Sequence, residues 1–177
     1  MNPKAMDDNK NLKKNRIKMY FLDAAKEIII NEGHENVSVR KVADMAGYSY
    51  PTMYNYFDDL NGLLWDVKEA MIRDLIELMS KKMMKTTYDI NGIKKLFRIY
   101  VGYYFENPNV FKFFYFHQLN SVYKKIDEAE SEINFAQMWQ ETFKGFVLAG
   151  KLQETEIEAV AKLLIYGVHG MLTLCFS

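Results

Sequence analysis

The chain has 177 residues, of which 49% are hydrophobic and 26% charged, with a formal net charge of zero. This is the composition of a globular chain rather than a disordered one, and the neutral balance excludes binding to nucleic acid by bulk electrostatics. Three prolines and nine glycines favour long helices over a many-turned β fold, and the single Cys175 excludes an intrachain disulfide and fits a reducing cytoplasm.

Taken in chain order, residues 1–14 are expected to form a flexible basic arm. The sequence opens without the pattern of a signal peptide, so the expected location is cytoplasmic. Charge is balanced over residues 1–59, which hold nine Lys/Arg and nine Asp/Glu, but residues 10–18 carry five cations and no acid. Lys13, Lys14, Arg16 and Lys18 are therefore candidates to lie along phosphates or in a minor groove; a solvated tail is the alternative. A first helix is predicted from about Asn15 to Asn31.

The most informative stretch is Ser38–Phe57. Val39, Val42, Ala43 and Ala46 recur at i, i+3, i+4 and i+7 and predict a short helix with one buried stripe. Ser38 is placed to cap it, and Gly47 to end it in a left-handed conformation. Ser49 is placed to cap a second helix with Pro51 in its first turn. Met53, Tyr56 and Phe57 give that helix an inner face, while Tyr50, Thr52, Tyr54 and Asn55 face outward. This is the layout of a helix-turn-helix, whose second helix enters the DNA major groove. Flat or short polar side chains on the outer face suit base edges and phosphates. An ordinary helical hairpin is the alternative.

Around this hairpin, Ala24-Ala25, Ile28-Ile29 and Gly33, then Ser38 to Gly47, then Ser49 to Phe57 with its Tyr-x-Tyr-Phe ending, resemble the N-terminal DNA-binding domain of the TetR family of bacterial repressors. The resemblance covers residues 24–63. It implies an all-α fold, with a three-helix helix-turn-helix domain over residues 15–59. A long helix joins this domain to a helical effector-binding and dimerisation domain over residues 60–177. It also implies DNA contacts from Ser38, Arg40, Ser49, Tyr50, Pro51, Thr52, Tyr54, Asn55 and Tyr56. Where the family usually has a phosphate-contacting Lys after the Phe, this chain has Leu60 beside Asp58 and Asp59. Backbone N–H groups at the following helix start are expected to keep that contact.

Beyond residue 60, apolar spacing predicts a helix over about 60–80, then helices over 93–105, 108–123, 131–149 and 155–176. Eleven aromatics lie between Phe97 and Tyr123. They suggest either a plain aromatic core or a small-molecule pocket with mostly apolar walls and a few polar groups. The pocket candidates are Tyr100, Tyr104, Phe114, His117 and Gln118, closed by Trp139 and Phe143. The last two helices carry broad apolar stripes, including Leu164 and Val168, and are expected to form a homodimer interface. Leu163–Phe176 is too short and too interrupted for a membrane span, so no membrane role is expected.

No HExxH, CxxC, Gly-rich phosphate loop or Gly-x-Ser-x-Gly pattern occurs, and no enzyme activity, metal site or cofactor is expected. The leading reading is a ligand-responsive repressor, bound to a pseudo-palindromic DNA operator as a homodimer and released by a small apolar or aromatic effector. The alternative is a helical protein-interaction module without sequence-specific DNA binding.

Overall fold

The computed structural model describes residues 3–84, 86–119 and 143–177, and among these the protein is all-α with no strand. Helix α1 spans Pro3–Glu32, α2 Val39–Ala46, α3 Tyr50–Met53, α4 Leu60–Met83, α5 Ile90–Glu106, α6 Pro108–Tyr115 and α7 Ile157–Phe176. Residues 143–148 are also helical. The parts of the expected helices that fall within 120–142, and the candidate Trp139, lie outside the described residues.

The chain divides into two compact units. The first comprises residues 1–71 with 112–124, the second residues 72–111 with 125–177. The first unit takes in the first turns of α4, beyond the domain boundary expected before Leu60. Leu63, Leu64, Val67, Ala70 and Met71 explain this, because they are all buried along the first turns of that helix.

In the first unit, α1 buries Phe21, Leu22, Ala24, Ala25, Ile28 and Ile29, a stripe at helical spacing. The helix starts at Pro3 rather than near Asn15. The expected arm is thus its first turns, since no glycine or proline interrupts residues 4–32 and Pro3 is tolerated in a first turn. Lys18 Nζ reaches Asp66 of α4 at 2.5 Å and lies 5.3 Å from the centre of the Phe57 ring. Lys41 of α2 pairs with Glu32 at the end of α1.

In the second unit, α5 begins three residues before the expected Ile93. The Asp89 carboxylate accepts hydrogen bonds from Asn91 N at 2.9 Å and Gly92 N at 3.0 Å, which caps the free N–H groups and holds the carboxyl below its ordinary range. Gly92 is required there, because a Cβ would sit 2.0 Å from Thr87 O. Gly145 likewise admits the ring of Tyr88, which meets Phe146 edge-on at 5.8 Å. Helix α7 packs on α5 through Tyr100 and His169, hydrogen-bonded at 2.6 Å. Phe176 lies 5.3 Å from both Phe105 and Phe111.

Candidate nucleic-acid interface and ligand groove

The α2–α3 hairpin follows from its caps. Ser38 is extended, and its Oγ accepts from Lys41 N at 3.3 Å. Gly47 is left-handed at φ 76°. Its N–H bonds to Asp44 O at 3.1 Å and the Tyr48 N–H to Ala43 O at 2.9 Å, the paired closure of a Schellman motif. Val42 and Ala43 are fully buried, so the helices cross closely at a small residue.

The second cap differs from expectation. Ser49 makes no side-chain cap bond; its hydroxyl lies 2.8 Å from the Thr52 hydroxyl. Thr52 N, the equivalent of Lys41 N, bonds the Ser49 carbonyl at 2.9 Å, and Pro51 has no N–H to offer as the other cap donor. Helix α3 is only four residues long, then tightens. Asn55 N bonds Thr52 O at 3.1 Å and Tyr56 N bonds Met53 O at 2.9 Å, the i+3 pattern of a 3₁₀ turn.

This short element turns Met53 and Phe57 into the core and leaves Tyr50, Pro51, Tyr54 and Asn55 exposed, with Thr52 half-buried. The guanidinium of exposed Arg40 lies 5.7 Å from the centre of the Tyr50 ring, joining α2 and α3 into one outward surface. Two expected DNA residues also make contacts within the unit. Tyr56 is half-buried with its ring 5.9 Å from Phe21, because it follows Met53 by one tight turn. Lys18 is drawn to Asp66 and Phe57, whereas Lys13, Lys14 and Arg16 are exposed on α1.

Sequence reasoning missed Asp59. Its carboxylate accepts from Gly62 N at 2.9 Å, so an acid occupies part of the α4 start that was expected to meet phosphate. The Asp-x-x-Gly order after Phe57 is the readable signal, a capping acid three residues before a free N–H.

The expected ligand residues do not gather in one unit. Phe114, His117 and Gln118 belong to the first unit, and Tyr100, Tyr104 and Phe143 to the second. Tyr100 and Tyr104 are buried and meet edge-to-face at 5.1 Å; Tyr104 meets Phe111 at 5.2 Å. Phe143 is buried against Phe146 at 6.1 Å. These rings pack against one another within the second unit. Open volume lies on another side of α5: a groove of about 200 Å³ to which α4 gives Leu78 and Lys82, and α5 gives Arg98, Ile99, Gly102, Tyr103 and Glu106.

His117 meets His34, with ring centres 4.4 Å apart and Phe113 stacked on His117 at 5.8 Å. Burial pushes the His117 pKa down, with His34 and Lys68 adding to the effect and Glu35 opposing it. Burial also lowers His169. A histidine depressed in the fold keeps its full stabilisation above the unfolded value of about 6.5, and that stabilisation is lost as pH falls from there toward the folded value. The melting temperature is therefore expected to hold at neutral pH and drop below about pH 6.5, with His117→Gln removing part of the drop. A melting temperature that rises on mild acidification would contradict this assignment.

Among the described residues, no group of three or more His, Cys, Asp or Glu side chains is arranged to hold a metal ion. Among the described residues one helical stretch, Glu154–Phe176, is long and apolar enough to cross a membrane by length and composition, longer than the Leu163–Phe176 run on which the sequence expectation rests.

Residues 21–66 match the family model of bacterial regulatory proteins, tetR family. The fold is similar to that of RolR solved in complex with resorcinol, at a TM-score of 0.71 and 14% identity over 94% of this chain and 82% of that one. It is similar to FadR from Bacillus subtilis in complex with stearoyl-CoA, described as a transcriptional regulator, at a TM-score of 0.68 and 18% identity over 88% and 85%. FadR from Bacillus halodurans, a fatty acid degradation regulator, gives a TM-score of 0.69 and 17% identity over 89% and 82%. No curated protein sequence matches the chain.

Proposed function

We propose, from the premise that residues 21–66 are a tetR-family regulatory domain, that this chain is a ligand-responsive transcriptional repressor. It acts in the cytoplasm as a homodimer, presenting two α3 elements to the half-sites of a pseudo-palindrome. The observation that carries this reading is the outward surface of α2 and α3. Arg40 and Tyr50 stack there, Tyr54 and Asn55 stand exposed beside them, and the buried side of the same hairpin is closed by Met53 and Phe57.

The effector is a small molecule with an apolar or aromatic body, held in the second unit. Helix α4 is shared by both units, so a ligand-driven shift of its second half is carried by a continuous helix to its first turns. This is a two-state coupling between separate sites. Solved structures with this fold hold resorcinol and stearoyl-CoA, which supports small-molecule control without naming the ligand of this chain.

Selection of bound sequences from random duplex DNA tests the reading. A pseudo-palindrome should emerge. Tyr54→Ala and Thr52→Ala should each weaken it by about 1–3 kcal/mol while leaving the helical signal and melting temperature unchanged. Equal binding of all sequences, or of the double variant, would favour the protein-interaction module.

A further inference from the structure

The groove between the second half of α4 and α5 has a chemistry that neither the helix-turn-helix nor the aromatic core requires. Its floor is Gly102. Glycine in a helix interior is unfavourable relative to alanine, and a Cβ at this position would meet nothing within 4 Å. The missing side chain therefore leaves open space that no neighbour fills. Leu78 and Ile99 flank it as apolar walls.

The two ends differ in charge. The connection between α4 and α5 is short, so the helices run antiparallel. Asp74 accordingly faces Tyr103, and Lys95 donates to Thr86 at 2.9 Å. This ordering sets Lys82 at the Arg98 end. Neighbouring Lys81 is paired with Glu77 at 2.5 Å, whereas Lys82 and Arg98 have no ion-pair partner among the described residues. The other end holds Glu106, two turns further along α5, and the Tyr103 phenol also lines the groove. Burial and then Asp74 push that phenol up to about 12, so it stays protonated.

We propose that this groove binds a small amphoteric molecule. Its carboxylate lies between Lys82 and Arg98, an apolar ring lies over Gly102 between Leu78 and Ile99, and its ammonium group faces Glu106. The volume of about 200 Å³ lies below the 300–1,000 Å³ typical of drug-sized sites, which limits the occupant to about one ring with short polar ends. The charged groups are solvent-exposed, so affinity in the millimolar range is expected. The effector role of the ligand rests on the proposed function; binding to the groove does not.

Titration calorimetry on the full chain without DNA tests the site, with 4-(aminomethyl)benzoate as probe and benzoate and benzylamine as its two halves. The expected result is saturable binding of the probe, with each half about fivefold or more weaker. Arg98→Gln should weaken the probe and benzoate but not benzylamine. Glu106→Gln should weaken the probe and benzylamine but not benzoate. Gly102→Leu should abolish binding without lowering the melting temperature, since it adds a better helix former in open space. Gly102→Ala controls for any misfolding of the larger variant and should retain part of the binding. No saturable binding to the wild-type chain, or equal binding to folded Gly102→Leu, overturns the site. Probe binding that leaves operator affinity unchanged keeps the site and removes its effector role. Absence of any operator fails the proposed function while the calorimetric result stands.

Discussion

Replacing Phe21 by alanine is expected to cost about 3–5 kcal/mol of stability and to abolish DNA binding. Phe21 is fully buried, and three rings from the hairpin converge on it. Tyr48 lies at 5.5 Å, Tyr56 at 5.9 Å and Phe57 edge-on at 6.3 Å. These residues come from the turn after α2, the tight turn after α3, and the approach to α4. One side chain of α1 thus fixes the pose of the whole recognition element. Truncating it leaves a cavity where the surrounding elements are held by capping bonds and cannot fully collapse. A loss of this size is a large fraction of the 5–15 kcal/mol typical of a whole domain. Urea denaturation followed by circular dichroism measures the cost. Phe21→Leu, which keeps most of the volume, should lose less stability and retain partial operator binding. An alanine variant that binds operator as tightly as wild type would place the organising contact elsewhere.

The hairpin was legible because its signals are local and redundant. Apolar spacing in Val42 and Ala43, a serine before the helix and a glycine after it each act within a few residues, and all agree. The start of α1 was less legible, since the polar sequence before Asn15 lacks an apolar stripe yet contains nothing that stops a helix. Aromatic density at Tyr100 and Tyr104 is harder to read for a different reason. Rings that meet edge-to-face fill a core as readily as they line a cavity, and composition does not distinguish the two. The groove over Gly102 depends on a side chain that is absent, in register with Leu78 from another helix, and no apolar periodicity reports that. In α7 the stripe is so broad that spacing alone did not separate its faces. Leu164 and Val168, expected at a dimer interface, are half-buried within the chain, and other residues form the more exposed outer face of the same helix.

That outer face carries the second large effect. Leu163, Tyr166 and Leu174 are 75%, 66% and 83% exposed, and Met171 is exposed beside them. With Gly167 and Gly170, where a Cβ would meet nothing within 4 Å, they form one apolar stripe at helical spacing with room for close helix approach. A second copy of the chain is the proposed cover, and in a two-fold interface each substitution acts twice. The double variant Leu163→Arg, Leu174→Arg is therefore expected to be monomeric by light scattering, because four guanidinium groups would be buried without partners. The helical signal should persist, since neither side chain packs inside the chain, whereas Leu172→Arg should unfold α7 because Leu172 is fully buried. Operator binding by the monomer should fall by about a hundredfold or more, as the second half-site contact becomes intermolecular again. A double variant that stays dimeric would move the interface off α7. Wild-type chain recovered with membranes rather than as a soluble dimer would assign the same stripe to lipid.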